Sequence, residues 1–575
     1  MIMEADRFAI RTWIGSSQKR IFTGDRPEKS LEKISAMRNE PVSFCLGYRS
    51  DYVKPDNEKT PDLPITFKIE SEGLRVSVYK VGYLPVSADE CEDGESGVCP
   101  DILIKKKTNP EIKTGDIHLA YYEEDEKHIL NVSCIKTGSV YFTVNEEGEN
   151  IPAGDYEIKI RVISLTTGEE INCHTVKLHV VDACLPENDL IYTNWFHYDA
   201  LVDYFGVELY SEEYFDLLEK YIRNAARHGM TALLTPAFTP ALDTPVGMKR
   251  MNVQLVRVKV TDGKYEFDMS LLERFMKLAK NSGIKWIEHC HLFSQWGATS
   301  AINIYAEVDG EEKQIFGWDD AADGDRYAEF LRAYIPEFLA LAENLGFGKN
   351  ILFHISDEPK EHQAEAYRKA LAVVKELIGD RVMGDALSDY HFYEKGLVQC
   401  PIVDTCRADD FDGRCDNFML YYTGGRPYAG LSNRLVGSSP IKTRMIGAQL
   451  FRYNAKGFLH WGYNFYYGRM THGVFNPATD PYGYRNIAGA SYLVYPGFDK
   501  TCQPSIREKQ MCDGINDYRA LRLLESLAGR DETLKICAEA LGTDKIGVYT
   551  LPTDPLAIAK MRESVNAEIE RRIKG

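Results

Sequence analysis

The chain has 575 residues, of which 44% are hydrophobic and 27% are charged, and its formal net charge is -18. This length exceeds the roughly 250–300 residues at which a single hydrophobic core stops growing, so two or three domains are expected. The negative charge disfavours nucleic-acid and membrane partners, because phosphate backbones and anionic lipids repel an acidic surface.

The sequence contains no apolar run of about 18 residues, and its first 20 residues lack the apolar centre of a signal peptide. We therefore expect a cytoplasmic protein without a membrane-spanning segment. The 13 cysteines are scattered and none forms a C-x-x-C pair. This spacing predicts free thiols and disfavours a structural zinc site.

Residues 1–184 are predicted to form an all-β domain. Short segments alternate apolar and polar side chains and are separated by Gly-containing turns, which is typical of the strands of a β-sandwich. The predicted strands are Ile65–Glu70, Leu74–Val81, Ile102–Lys105, Glu157–Val162 and Thr175–Val181. The acidic stretch Asp89–Gly97 is interpreted as a solvated loop.

From Leu185 onward, strand-like and helix-like segments alternate. The predicted strands are Ile191–His197, Ala232–Pro236, Lys285–His291, Ile351–Ile355, Val382–Asp385, Ile402–Cys406, Phe418–Tyr422 and Gly457–Trp461. Helices are predicted to start at Ser211, Ser270 and Ser439-Pro440 and to cover Tyr327–Leu345, Glu361–Leu377 and Ile515–Ala528.

These units predict a (β/α)8 TIM-type barrel over residues 185–530, with residues 531–575 as a helical segment packed on it. The alternative is an open doubly wound sheet. Such a sheet would need a Gly-rich phosphate loop after its first strand, and the sequence has none there.

In barrels of this class the active site lies at the carboxyl ends of the strands. Asp357 and Glu358, after the fourth strand, are the candidate catalytic pair. Two close carboxyl groups push one pKa upward and so yield one acid and one anion, as glycoside cleavage requires. Pro359 predicts an extended backbone at Glu358. The candidate sugar-binding residues at the same ends are Trp195, His197, His289, His291, Asp385, Asp404, Tyr421, Tyr422, His460, Trp461, Tyr463 and Asn464.

Other interpretations of these residues stay open. Asp357 and Glu358 could simply complement the dipole of the following helix. His289 and His291 could face one side of their strand and bind a metal with Asp357 or Asp385, which would indicate a metal-dependent hydrolase. A non-catalytic carbohydrate-binding barrel is a third possibility, although the presence of both carboxylates argues against it.

Four stretches near the predicted strand ends and the C-terminus carry a resemblance. They are Asn194–Asp199 (NWFHYD), Phe353–Pro359 (FHISDEP), Gly457–Tyr466 (GFLHWGYNFY) and Ser505–Leu521 (SIREKQMCDGINDYRAL). In this order they resemble glycoside hydrolase family 123 and its relatives, over roughly residues 185–530. That family also has a β-sandwich in front of its catalytic barrel.

The resemblance implies an exo-acting β-N-acetylgalactosaminidase for glycosphingolipid-type oligosaccharides, with retention of configuration through an oxazolinium intermediate. The expected partner is an oligosaccharide or glycoconjugate with a terminal 2-acetamido sugar, and no cofactor or metal is expected. Glu358 is implied as the general acid/base, and ionised Asp357 as the group that orients the 2-acetamido substituent. Trp195, Tyr421 or Tyr422, Trp461 and Tyr463 are candidates for the walls of the sugar site.

Overall fold

A computed structural model describes residues 10–51, 63–93, 97–105, 121–124, 127–132, 136–423, 431–549 and 551–575. Its amino-terminal part consists of strands. They are β1 (Ile10–Ser16), β2 (Lys33–Met37), β3 (Val42–Ser50), β4 (Pro64–Glu70), β5 (Val76–Pro85), β6 (Val98–Ile104), β7 (Tyr121–Glu124), β8 (Lys127–Asn131), β9 (Gly138–Val144), β10 (Gly154–Ser164) and β11 (Glu170–Val181). These form two sheets, β1-β3-β9-β5-β6 and β2-β11-β10-β4-β8-β7, in which only β2 and β11 pair in parallel.

Apolar side chains of both sheets form one shared core, to which Phe44 contributes from the first sheet and Phe67 from the second. The opposite face of the first sheet is also covered, since Trp13 and Tyr141 pack with Ile506 near the C-terminal end of the chain. A strand that is buried on both faces shows no alternation of apolar and polar residues. This explains why β1, β3 and β9 were not predicted from the sequence, whereas β4, β5, β6, β10 and β11 were.

The strands that follow are β12 (Ile191–Asn194), β13 (Ala232–Thr235), β14 (Arg257–Thr261), β15 (Lys264–Asp268), β16 (Trp286–His289), β17 (Ile304–Val308), β18 (Glu311–Phe316), β19 (Ile351–Phe353), β20 (Val382–Met383), β21 (Ile402–Asp404), β22 (Met419–Tyr421), β23 (Gly457–His460), β24 (Tyr467–Gly468), β25 (His472–Val474), β26 (Tyr495–Pro496) and β27 (Cys502–Gln503). The helices are α1 (Tyr198–Phe205), α2 (Glu212–Arg227), α3 (Ser270–Asn281), α4 (Asp325–Asn344), α5 (Ala364–Ile378), α6 (Tyr390–Glu394), α7 (Ala408–Phe411), α8 (Pro440–Arg444), α9 (Ile446–Arg452), α10 (Ile506–Ala528), α11 (Arg530–Leu541) and α12 (Ala557–Lys574).

The eight predicted barrel strands are all present and pair in parallel in two four-stranded sheets, β12-β23-β22-β21 and β13-β16-β19-β20. Backbone hydrogen bonds connect the sheets at both seams. Thr231 N donates to Tyr192 O at 3.0 Å, and Ile402 N donates to Asp385 O at 3.0 Å. The pairing therefore gives two sheets and not one closed eight-stranded ladder, because the seam strands are only two to four residues long.

Two antiparallel hairpins interrupt the alternation of parallel strands and helices. They are β14–β15 and β17–β18, which join through β14 and β17 into a separate four-stranded sheet.

Helix boundaries follow the predicted capping residues with two exceptions. Ser211 caps α2 by accepting a hydrogen bond from Tyr214 N at 3.2 Å, and Ser439 and Pro440 take the predicted first positions of α8. Ser270 is the first residue of α3 and not its cap. Helix α10 begins at Ile506, well before the predicted Ile515, because its first turns carry polar side chains that are nevertheless buried.

The acidic stretch Asp89–Gly97, of which residues 94–96 lie outside the described part, is more than a solvated loop. Cys91 is buried, and Glu92 N donates to Gly437 O at 3.0 Å. Each cysteine in the described residues is a free thiol, and Cys134 lies outside them. No helix in the described ranges is long and apolar enough to cross a membrane.

Candidate active site

A cavity of about 380 Å³ opens at the carboxyl ends of the parallel strands. This volume lies within the roughly 300–1,000 Å³ of pockets that bind small molecules. The lining residues are Trp195, Leu242, Asp243, Gln295, Trp296, Asp357, Glu358, Ala386, Asp404, Tyr421, Thr423, Leu459, Trp461, Tyr484, Arg485 and Ile487. Of the sequence-predicted residues, the structure thus brings together Asp357, Glu358, Trp195, Asp404, Tyr421 and Trp461.

Asp357 and Glu358 follow β19 in a sharp turn that lets two consecutive side chains reach the same cavity. Glu358 has φ 43°, in the left-handed region, and its N–H donates to Ala386 O at 3.0 Å. The extended backbone predicted from Pro359 is therefore wrong. A left-handed non-glycine residue costs about 1–3 kcal/mol and persists where neighbouring contacts fix it, often at functional sites. Helix α5 begins only at Ala364, so neither carboxyl group caps it.

The two carboxyl groups differ in their surroundings. Glu358 is exposed to the cavity, whereas Asp357 is partly buried. Removal from water raises the pKa of Asp357 to about 8, and repulsion from Glu358 adds to this rise. Asp357 therefore holds a proton at neutral pH in the unliganded protein, where the sequence analysis expected an anion.

Aromatic side chains surround the pair. The Tyr421 hydroxyl, at the end of β22, donates to Glu358 Oε1 at 3.0 Å. The Trp195 indole N–H donates to Glu288 Oε1 at 2.6 Å, which fixes the ring in the cavity wall. Trp461 packs against Tyr484 with ring centroids 4.9 Å apart. Asp404 also reaches the cavity while its Oδ1 accepts from Cys406 N at 2.9 Å.

A fully buried group of charged residues lies beneath the pair. His354 Nε2 is 2.7 Å from Glu288 Oε1, and His354 Nδ1 is 3.5 Å from Asp385 Oδ1. Asp385 was predicted to bind sugar, but its carboxyl group accepts hydrogen bonds from Ile355 N at 2.9 Å and Ser356 N at 3.3 Å instead. It therefore supports the loop before Asp357 from behind.

Five further predicted sugar-binding residues lie outside the cavity lining. His197 Nε2 donates to Trp461 O at 2.9 Å, and burial lowers the pKa of His197 to about 3. Asn464 Oδ1 accepts from His197 N at 2.9 Å. The Tyr422 hydroxyl contacts Met511 Sδ, the Tyr463 hydroxyl donates to Glu508 Oε1 at 3.0 Å, and His460 Nδ1 accepts from Gly462 N at 3.1 Å. These side chains stabilise the strand ends and do not form the walls.

His289 and His291 have separate surroundings. His289 bonds with the Tyr334 hydroxyl at 2.9 Å, whereas His291 stacks on His354 with ring centroids 4.7 Å apart. Burial lowers the pKa of His289 to about 4. The two rings do not share one face of the strand, because β16 ends at His289 and its pleat does not continue. Across the described ranges, no group of three His, Cys, Asp or Glu side chains is arranged to hold a metal ion.

The sequence analysis missed the residues that loops contribute to the cavity. They are Leu242, Asp243, Gln295, Trp296, Tyr484, Arg485 and Ile487. The tertiary structure organises them: Asp243 Oδ2, for example, accepts from Met470 N at 2.8 Å. Of these residues, only Trp296 could have been identified from the sequence, since an aromatic residue beside Gly297 in a loop often forms a binding surface.

Comparisons with known proteins agree with this geometry. A family model described as the catalytic domain of glycoside hydrolase 123 matches residues 195–524, which is more than half of the chain. The fold is similar to that of a family 123 glycoside hydrolase from Clostridium perfringens, studied for glycolipid glycan hydrolysis. The TM-score is 0.71 at 14% identity, over 98% of this chain and 99% of that one.

Two further solved structures have lower TM-scores. A family 39 glycoside hydrolase from Bacteroides cellulosilyticus WH2 has a TM-score of 0.32 at 10% identity, over 87% of this chain and 82% of that one. A family 5 mannosidase from Rhizomucor miehei has a TM-score of 0.31 at 13% identity, over 60% and 94%. Among curated protein sequences, none matches this chain. The match of the catalytic-domain model over more than half of its length shows that the chain belongs to glycoside hydrolase family 123.

Proposed function

We propose that the protein is a retaining exo-glycosidase that removes terminal β-linked N-acetylgalactosamine by substrate-assisted catalysis. The observation that carries the proposal is that Asp357 and Glu358 line one cavity together, with Tyr421 bound to Glu358. A small-molecule-sized cavity favours a terminal sugar over an extended polysaccharide chain. Trp195, Trp461, Tyr421 and Asp404 are the proposed sugar-binding residues.

The first step needs an internal nucleophile and an acid. The carbonyl oxygen of the 2-acetamido group attacks the anomeric carbon while the bond to the leaving oxygen breaks. Glu358 gives its proton to that oxygen. The acetamido nitrogen becomes positively charged in the oxazolinium ion, and the Asp357 carboxylate beside its N–H stabilises that charge.

The second step restores the enzyme. Glu358, now ionised, accepts a proton from water, whose oxygen attacks the anomeric carbon. The bond from that carbon to the oxazolinium oxygen breaks, which regenerates the acetamido group. Two inversions at one carbon give net retention of configuration.

The proton on Asp357 in the unliganded protein is compatible with this scheme. An acetamido N–H that donates to Asp357 stabilises the carboxylate and so lowers its pKa. The displaced proton then resides on Glu358, which needs it for the first step. Substrate binding would thus leave Asp357 ionised and Glu358 protonated, as the first step requires.

We also propose that the two parallel sheets are the halves of one (β/α)8 barrel over residues 185–530. The backbone hydrogen bonds at both seams support it. Residues 1–184 would form a β-sandwich domain and residues 531–575 a C-terminal helical segment. In that segment, Arg562 of α12 pairs with Asp517 of α10 at 3.3 Å and with Glu40 of the amino-terminal sheets at 2.6 Å.

A panel of 4-nitrophenyl glycosides, α and β, with and without the 2-acetamido group, tests the proposal. The β-linked 2-acetamido galactoside should be hydrolysed fastest, and proton NMR should detect the β-anomer as the first product. The variant carrying both Asp357→Asn and Glu358→Gln is the matched control for contaminating activity. Equal cleavage of the plain galactoside, or initial release of the α-anomer, would contradict substrate-assisted retention.

A further inference from the structure

We propose that His354 is a positioning residue, a buried cation that couples the sugar-wall residue Trp195 to the placement and protonation of Asp357. This inference depends on the proposed function, because it assigns a role within the same site. His354 was not a candidate in the sequence analysis, and its side chain does not line the cavity.

On one side, His354 supports the cavity wall. Its Nε2 donates to Glu288 Oε1 at 2.7 Å, and the same oxygen accepts from Trp195 Nε1 at 2.6 Å. The Thr193 hydroxyl donates to the other oxygen of Glu288. Glu288 and His354 are both fully buried. Because a buried carboxyl group needs a partner of opposite charge, the orientation of Trp195 depends on His354.

On the other side, His354 supports the loop that carries the catalytic pair. Its Nδ1 faces Asp385 Oδ1 at 3.5 Å. Asp385 accepts hydrogen bonds from the N–H groups of Ile355 and Ser356, the two residues directly before Asp357. The Tyr367 hydroxyl also donates to Asp385, at 2.5 Å. A change of charge at His354 would therefore alter the interaction of Asp385 with the backbone N–H groups that position Asp357.

The surroundings keep His354 protonated. Burial by itself lowers its pKa, but the nearby carboxyl groups of Asp385 at 3.5 Å and Glu288 at 2.7 Å outweigh this effect and raise the pKa of His354 to about 10. The ring stacked on it, His291, stays neutral, because burial and the positive charge of His354 push the pKa of His291 well below its usual value.

Asp357 interacts electrostatically with groups on several elements. Glu358 beside it and Asp385 after β20 raise its pKa, and His354 after β19 lowers it. Tyr421 on β22 is neutral, because burial and then Glu358 raise its pKa. Among the described groups that shift the pKa of Asp357, only His354 is positively charged; Arg485, Asp243 and Asp404 line the same cavity. Without it, Asp357 would hold its proton more tightly.

The variant His354→Gln keeps a hydrogen-bonding side chain and removes the charge. We expect kcat/KM to fall about 10–100-fold, which is the usual loss when a residue that orients a functional side chain is removed. We also expect the alkaline limb of its pH profile to move to higher pH by at least about one unit, because the proton on Asp357 becomes harder to remove. The matched control is His291→Gln, which alters a neighbouring neutral ring and should leave the limb in place.

If His354→Gln does not fold, the variant carrying both Glu288→Gln and His354→Gln removes two opposite charges and keeps an acceptor for Trp195. It should show the same upward movement of the limb. The proposal would be overturned if the alkaline limb stayed in place in the variant that folds. A purely structural role of His354 would lower the activity without moving this limb.

A measurement independent of activity separates this inference from the proposed function. Nitrogen NMR of histidine-labelled protein at pH 8 should show an imidazole with both ring nitrogens protonated whose signal is absent from His354→Gln. Absence of such an imidazolium from the native protein would overturn the inference even if the enzyme cleaves 2-acetamido glycosides. Its presence in a protein without that activity would refute the proposed function alone.

Discussion

The Tyr421 hydroxyl donates a 3.0 Å hydrogen bond to Oε1 of Glu358, although the two residues are 63 positions apart in the sequence. Tyr421 lies at the end of β22, and Glu358 occupies the left-handed turn after β19. Burial raises the pKa of Tyr421 far above its usual value, with Glu358 as the next cause. The hydroxyl therefore stays protonated and donates to Oε1 of Glu358.

Tyr421→Phe removes this hydrogen bond and should lower kcat about 10–100-fold. A hydrogen bond to a charged group contributes about 1.5–3 kcal/mol, and each 1.4 kcal/mol is a factor of ten in rate. Steady-state kinetics on an aryl 2-acetamido galactoside measures the effect. Tyr422→Phe is the matched control, because the Tyr422 hydroxyl contacts Met511 away from the cavity. Equal losses in the two variants would contradict a specific role for Tyr421.

Glu358→Gln keeps the side-chain shape and removes the transferable proton. Turnover of a substrate with a poor leaving group should fall about 10²–10⁴-fold, because general acid catalysis contributes this much. An aryl glycoside with an acidic phenol should lose less, since its departing oxygen needs no proton. A comparison of the two substrates checks this. Near-normal turnover of the poor substrate would end the assignment of Glu358 as the acid.

In the proposed mechanism, Asp357→Asn removes the carboxylate that stabilises the oxazolinium nitrogen. Because that charge exists only after attack begins, kcat should fall about 10²–10³-fold while KM changes little. An oxazoline-mimicking thiazoline should inhibit the native protein competitively and bind the variant far more weakly. A loss confined to KM would show that Asp357 binds the ground state and the transition state equally.

The pH dependence of kcat/KM should have an alkaline limb near pH 8. The pKa of Asp357 is about 8, so the unliganded pair keeps its proton below this pH and loses it above. Substrate must bind while Asp357 and Glu358 together still carry one proton. The value of kcat/KM should therefore fall as the pH rises through 8. A profile recorded from pH 5 to 10 on native protein and on Asp357→Asn tests the origin of the limb. An unchanged limb in the variant would assign it to another group.

Arg562→Met should loosen the contact of α12 with the rest of the protein. Arg562 is buried and pairs with Glu40 and Asp517. Its loss removes the ion pair of the buried Glu40, whereas Asp517 keeps its pair with Arg444 at 2.6 Å. Such losses cost about 3–5 kcal/mol. Hydrogen exchange of the α12 amides should reveal the lower opening free energy. Arg571→Met is the control, because its pair with Glu568 is on the surface, where solvent screens the attraction. Similar exchange in both variants would contradict the role of Arg562.

The sequence predicted strands such as β10 and β11, in which one face is exposed. It failed for β3, which is buried on both faces and lacks alternation. The start of α10 was missed for a related reason: Arg507 and Glu508 appear solvent-exposed by their residue type, yet both are buried. Long-range partners cause this burial, such as Asp101 for Arg507 at 2.9 Å, and they cannot be identified from local sequence.

The sequence by itself determined the order of the eight parallel strands and the placement of Asp357 and Glu358 after the fourth of them. Periodicity and turn residues are local properties, so they are readable along the chain. Only the tertiary structure decided which polar side chains enter the cavity. His354 and Asp385 lie beneath it and Trp296 lines it, because the direction of a side chain beyond a strand end depends on loop backbone and on distant partners. Burial of Asp357, which the tertiary structure decides, is the main cause that raises its pKa to about 8, and the adjacent Glu358 adds to the rise.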